Sequence, residues 1–502
     1  MKNAPRRASH LALLLLISGA AAPSAAAQSA PDSLNVAIAA EPPLLDPTAS
    51  PSAEIARVFN LNVMQGLLTS NAQGKVVPLL ASGYTVSKDG LTYTFRLRGG
   101  VKFHDGSAFG ADDVVAALNR ARDPKSGHTH PEYYASIRSV AAQGANTVVL
   151  KLSQPDNDLL FNLSRSDSVI GPKGKEAAQK TNPIGTGPFK FAAWNRGSSI
   201  ELTRFADYWD KSLPKLSKVN FKIIPDLNAQ LAALKAGDVD VIGYGVGPEN
   251  IPAIKSDPNL QLLTGGSTTK MTIGLNNSAA PFKDIRVRQA LAYATNKPEI
   301  VQGLFFGQGV PIGSHRTPSE ANYLDRSGAY PYNPDKARAL LKAAGYTDQK
   351  PLTFTFDLPA QYQNEVRIGQ AAAAQWAKVG IKAQVRSIEF STWLSKIYTN
   401  ADYQATVIGH VEANDIGIYA NPKYYFRYSS PKFQAAFKRY QSGTPTQAAQ
   451  AMKDMQKTLS DDAVNDWVME FPTIVALRKG VIGWTVGSPI ESLDLTHVSK
   501  QK

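Results

Sequence analysis

The stretch "SKVNFKIIPDLNAQLAALKAGDVDVIG", residues 217–243, decides the fold class. Residues 217–225 alternate apolar and polar side chains and stop at Pro225, the pattern of a strand closed by a breaker. Leu227, Leu231 and Leu234 then share one helical face, and Gly237 supplies the helix stop. Residues 238–243 return to strand alternation. Strand, helix and strand in this order make a βαβ unit. It implies a sheet with helices packed on it, so the chain belongs to the α/β class.

The same rhythm continues on either side. Upstream, "GTGPFKFAAW" (185–194) and "SSIELTRF" (198–205) read as a hairpin turned at Asn195-Arg196-Gly197. Residues 84–98 form another around Lys88-Asp89-Gly90, and "NTVVLKL" (146–152) is a further strand. "LNVAIAA" (34–40) alternates as a strand, and residues 53–70 carry apolar positions at helical spacing. Downstream, "DIRVRQALAYAT" (284–295) and "NPDKARALLKAAGY" (333–346) are helices. The second has Asn333 to cap it, Pro334 at its first turn and Gly345 at its end. Residues 352–358 and 403–410 are strands. No internal repeat is visible. The pattern predicts two α/β lobes with β-rich material around residues 75–184.

Bulk properties agree. At 502 residues the chain exceeds one ordinary core, and 43% hydrophobic with 19% charged residues is a globular composition. Lys2, Arg6 and Arg7, then "LALLLLISGAAA" (11–22), then Ala25-Ala26-Ala27, make a secretory signal peptide with cleavage expected near Ala27. Removing its three basic residues lowers the net charge from +13 to +10. No later run is apolar enough to span a membrane, so a protein free outside the cytoplasm is expected. There is no cysteine, which excludes disulfides, thiol catalysis and cysteine metal sites. The positive charges are scattered and lack interleaved aromatics, so nucleic acid is not an expected partner.

Catalytic chemistry finds little foothold. "VKFHDGSAFGADDVV" (101–115) contains His104-Asp105 and Asp112-Asp113, and allows two readings: a base with its orienting carboxylate, or a turn and a helix start. Neighbouring strand residues face opposite ways, Asp-Gly is a turn dipeptide, and acidic residues favour a helix's first turn. The turn-and-helix reading is preferred, with Val114, Ala117, Leu118 and Ala121 as the buried stripe. Residues 185–189 and 265–270 lack the phosphate-loop pattern, and no Gly-x-Ser-x-Gly elbow exists. His128 and His130 form the one close histidine pair and read as a surface loop or a weak metal contact. By contrast, "GHVEANDIGIYANPKYYFRY" (409–428) follows a strand end with carboxylates, amides and tyrosines, the usual furniture of a binding loop.

In order along the chain, residues 66–114, "NPIGTGPFKFAAW", "LTRFADYWD", "LNNSAAPFKDIRVRQALAYATNK" (275–297) and "YNPDKARALLKAAGY" (332–346) resemble the family 5 extracellular solute-binding proteins of peptide-type ABC importers, the dipeptide, oligopeptide and nickel binders. The resemblance implies a two-lobe periplasmic binding protein fold (class II, cluster C type) with an extra β-rich domain. It implies a signal peptide at 1–27, lobe I at 28–72, domain II at 73–184, lobe I again at 185–272, lobe III at 273–474 and a return to lobe I at 475–502.

Functionally it implies a non-enzymatic, periplasmic receptor without cofactor. It would capture a peptide or peptide-like ligand as a monomer and deliver it to an ABC permease with its ATPase. Domain II usually lies away from the cleft in this family. The anchors of free-dipeptide binders are missing: Ala413 stands at the acidic position after the strand, and Pro359-Ala360-Gln361 where an arginine is usual, with Arg367 well inside the helix. This leaves room for a longer or modified peptide, an opine or amino-sugar conjugate, or a metal chelate. A secreted hydrolase is the remaining alternative. Expected contacts are Glu412 and Asp415 to a cationic group, His410 and Asn414 as directional hydrogen bonders, Tyr419 as a stacking ring, and the loop Glu41 to Ser50 facing the cleft.

Overall fold

In the computed structural model, which describes residues 32–71 and 73–501, Lys218–Ile223 and Val241–Ile242 are strands joined by the helix Leu227–Ala236. Asp226 caps that helix by accepting the Ala229 amide at 2.7 Å, and Gly237 closes it at φ +88°. The two strands do not touch. Ser33–Ile38 lies between them and runs parallel to both. Four further strands complete a seven-stranded sheet, ordered Leu260–Gly265, Thr473–Arg478, Val241–Ile242, Ser33–Ile38, Lys218–Ile223, Ser199–Arg204, Phe189–Asn195. Both ends of the described chain therefore belong to this first lobe. The expected signal peptide lies outside the described residues.

A second lobe is built on six strands, ordered Val310–Pro311, Asp466–Glu470, Lys270–Leu275, Ala405–His410, Thr353–Pro359, Lys382–Ile388. Its core packs Phe354, Phe356 and Trp376 against the helix Ile285–Ala294. Asn333 caps the helix Pro334–Ala343 by accepting from Lys336 at 2.9 Å, and Gly345 sits at φ +90° just beyond it. Between the first two segments of lobe I, four strands ordered Ala81–Val86, Thr92–Leu97, Thr147–Leu152, Ile137–Ala142 pack on the helix Ala111–Ala121.

Residues 101–115 are a turn and a helix start. Asp105 accepts the backbone amide and hydroxyl of Ser107, and Asp113 accepts the Gly110 amide at the helix entry. His104 is 8% exposed and ties this unit to lobe I through the Gly187 carbonyl at 3.0 Å and the Gly185 amide at 3.3 Å. Val114, Leu118 and Ala121 are buried on the inner face, with Ala117 packed beside them.

Several boundaries differ from expectation. The helix foreseen over 53–70 stops at Phe59, because Leu61 takes φ +68° and turns the chain. Leu67 and Leu68, at 1% and 2% exposure, are buried in the four-stranded unit, each gaining about 2 kcal/mol from leaving water. The strand Leu68–Ser70, paired antiparallel with Val76–Pro78, thus sides with the extra unit, ahead of the 72/73 border. The lobes exchange chain at 266–269 and 471–472, so the expected borders at 272/273 and 474/475 fall inside strands. The crossovers are stitched together. The Ser267 amide donates to Glu470 Oε1 at 2.8 Å, its hydroxyl donates to the Phe471 carbonyl at 2.6 Å, and the Phe471 amide donates to the Thr269 carbonyl at 2.9 Å.

Candidate functional site

Two connected chambers of about 250 and 240 Å³ lie where the three units meet, and they share Phe161, Ala413 and Pro489. Together they reach the volume range of small-solute sites. Lobe I supplies Ser50, Ser52 and Glu491 to the first chamber, and the second lobe supplies Thr268, Val411 and Glu412. The extra unit supplies His130, Phe161 and Arg165, so domain II forms a wall of the cleft. This corrects the expectation that it stands away from it. A third cavity of about 40 Å³, beside the helix Ala111–Ala121, has room for one or two water molecules and not for a solute.

The tip 411–413 enters the cleft because the residues around it are held from below. Lys270, 0% exposed at the first position of its strand, donates to the Glu412 carbonyl at 2.5 Å and to Asp415 Oδ1 at 2.9 Å. Glu320 accepts the Asn414 amide at 2.9 Å. Asn414 itself adopts φ +60°, a left-handed conformation that asparagine tolerates better than most residues. Val411 is thereby 60% exposed, and among the described residues the Glu412 carboxylate has no hydrogen-bond or ion-pair partner.

The expected site residues separate into two groups. Ser50 and Glu412 line the first chamber, and Asn414 lines the second. Asn414 is already engaged: its Oδ1 accepts from Arg316 at 2.9 Å and its amide group donates to Asp158 of the extra unit. Asp415 lies beneath the loop, between Lys270 and His315 Nε2 at 3.0 Å. Burial raises its carboxyl, but His315 and Lys270 beside it hold it well below the usual range. Tyr419 is 1% exposed. Its ring stacks on Phe426 inside the lobe, and its hydroxyl meets Asn465 at 2.9 Å and His315 at 3.1 Å. Its apolar face serves the core, and neither chamber is lined by it. His410 bonds the Tyr425 hydroxyl at 2.8 Å and lies parallel to its ring. Glu41 accepts from Trp194 at 2.8 Å and Gly197 at 3.1 Å, which turns it from the cleft into a lobe I contact.

His315, His410 and Asp415 bring ligand atoms within 4.8 Å of one another, as a metal site would. The hydrogen bonds argue against that use. Trp467 can only donate, and its indole N–H points at His315 Nδ1 at 3.2 Å, which leaves Nε2 as the protonated nitrogen facing Asp415. The Lys270 ammonium already occupies the same carboxylate oxygen. With burial lowering its pKa to about 4, the His315 ring is neutral at ordinary pH, which fits acceptance at Nδ1 and donation at Nε2. The other histidine pair serves elsewhere. His128 is buried and contacts the Asp167 carbonyl at 2.9 Å, whereas His130 lies in the cleft wall beside Glu132. The surface-loop expectation therefore fails for His128, whereas His130 stays partly exposed on its loop.

Sequence order could not reveal Arg165, His130 or Phe161 as wall residues, because nothing local marks them. Arg367 does not enter the chambers. It faces Glu249 of lobe I at 3.7 Å.

Residues 75–430 match the model of the bacterial extracellular solute-binding proteins, family 5 (middle region). The chain is 33% identical over 389 residues to the glutathione-binding protein GsiB of Escherichia coli K12, covering 76% of this chain and 75% of that protein. The structure of HbpA2 from Haemophilus parasuis superposes with a TM-score of 0.82 at 26% identity, over 94% of this chain and 100% of the other. That of AgaA from A. tumefaciens R10, in complex with agropinic acid, superposes with a TM-score of 0.72 at 28% identity, over 94% and 99%.

Proposed function

The chain belongs to the family 5 bacterial extracellular solute-binding proteins, and from that premise we propose that it is the periplasmic receptor of an ABC importer, closing its lobes over a peptide or peptide-like solute and passing it to a membrane permease. The observation that carries this reading is the cleft. Its walls come from all three units, and they converge on two chambers large enough for a small solute. Closure about the paired crossovers would complete contacts that no single lobe supplies. Binding, and not turnover, fits a site whose histidines are engaged in fixed hydrogen bonds. The receptor would be secreted through a cleaved leader and act as a monomer; no helix among the described residues is long and apolar enough to cross a membrane.

Glutathione is the first solute to test, since the relative at 33% identity carries it in its name. A saturating ligand at a hundred times its Kd stabilises the folded state by about 2.7 kcal/mol. Differential scanning fluorimetry with glutathione and a panel of di- to tetrapeptides should therefore show a clear rise in Tm for at least one of them. Agropinic acid, held by the relative at 28% identity, belongs in the same panel as the non-peptide reading. No rise with any peptide would sink the peptide assignment.

A further inference from the structure

We propose that Arg165, contributed by the extra β-rich unit, is the carboxylate anchor of the cleft, and that with Glu412 in the wall across from it the site selects solutes bearing both a free carboxylate and a cationic amine. The inference rests on the solute-capture function proposed above and specifies its ligand.

The Arg165 side chain is 19% exposed, yet among the described residues its guanidinium donates no hydrogen bond, and its Nε is buried without a partner. Other buried arginines differ. Arg57 and Arg316 each donate twice to the protein, and Arg288 donates four times. A largely buried guanidinium that has an ion-pair partner at 3.4 Å but no acceptor in hydrogen-bond geometry is costly, and its open donors suit a ligand.

Its surroundings hold it ready. The residue sits in a hydrogen-bonded turn, its amide donating to Asn162 at 3.3 Å and its carbonyl accepting from Ser168 at 3.1 Å. The guanidinium carbon stands 4.7 Å from the centre of the Tyr133 ring, which restrains the plane of the fork. Asp167 approaches at 3.4 Å without forming a hydrogen bond, so it offsets charge while leaving the donors open. A planar fork with open donors matches a carboxylate in two parallel bonds. Glu412, from the second lobe, lines the same chamber with an unpartnered carboxylate. Opposite charges on walls that belong to different units make a zwitterion the natural bridge between them.

The test is isothermal titration with the tightest-binding member of the glutathione and small-peptide panel, set against its own ethyl ester or C-terminal amide. The native protein should prefer the free acid by about tenfold or more, the scale of one charge-assisted pair. Arg165→Gln should lose that preference while keeping its affinity for the ester. Arg165→Lys should recover part of it, because the charge returns without the fork. Matched melting curves check the fold, and if Arg165→Gln does not fold, Tyr133→Leu should narrow the acid-to-ester ratio instead. An unchanged ratio in Arg165→Gln, or in Tyr133→Leu when that variant stands in for it, overturns the anchor and leaves the receptor function standing. Failure of the native protein to bind any peptide overturns both the anchor and the peptide assignment.

Discussion

Asp415 is committed inside its lobe: Oδ1 takes Lys270 at 2.9 Å and His315 at 3.0 Å, and His410 stands 3.8 Å from Oδ2. Its carboxylate serves Lys270, which is fully buried, and His315, and the nearest other carboxylate to that ammonium is Glu320 at 3.8 Å. Asp415→Asn should therefore strand a buried cation, at a cost of about 3 kcal/mol or more in urea unfolding. A loss below about 1 kcal/mol would place the pair with ordinary surface ion pairs and refute this reading. His104 makes a second case. Burial lowers the pKa of both His104 and His315 to about 4 from 6.5, so in that window the unfolded chain binds more protons than the folded one. Stability is then complete above pH 6.5 and falls as pH drops towards 4, by about 3 kcal/mol per histidine. His104→Gln should shallow that acid limb in pH-dependent unfolding while leaving solute affinity within about twofold, because distant sites act independently. The turn and helix start around His104 were legible, since strand alternation and the Asp-Gly turn are local facts. The sequence could not separate Glu412 from Asp415, three residues apart, because the difference lies in Lys270 rising beneath one of them from another strand.

Among elements, the helices with clear end signals were legible, as at the Asn333 cap and the Gly237 stop, because such signals are written within one segment. The helix beyond Phe59 was not. Its apolar spacing continues, but those side chains are divided between two cores that the spacing cannot distinguish. The loop before the short helix Leu159–Asn162 shows a contact of the same non-local kind. Asn157 donates to the Tyr440 and Gly443 carbonyls at 2.7 and 3.1 Å, and Asp158 accepts from Tyr440 and Asn414. These bonds join the extra unit directly to the second lobe, so opening the cleft must break them. Asn157→Ala removes two of them, each worth about 1 kcal/mol. The solute-free protein should then expand in small-angle scattering, and solute affinity should fall several-fold through the closed population. Unchanged scattering would show that the lobes close without this contact.

For the whole molecule, the α/β class and the β-rich stretch near 75–184 could be read from periodicity, whereas the order of lobes came from the resemblance to a family. The cleft could not be read from either. Arg165 and Glu412 are nearly 250 residues apart in sequence and belong to different units, and only the packing of those units makes them neighbours of one chamber. The border errors share this origin, since a crossing inside a continuous strand pattern leaves no composition mark.

Because Ser33–Ile38 and Thr473–Arg478 both lie in the first sheet, and Lys500 pairs with Asp240 there, the second lobe and the β-rich unit are insertions strung between the ends. A mechanical consequence follows. Tension applied at the two termini runs through the first lobe alone, and the inserted units carry no load until its strands part. In an optical trap the first rip should release lobe I, followed by separate rips for the insertions. A single all-at-once rupture would mean that the three units share one mechanical fate.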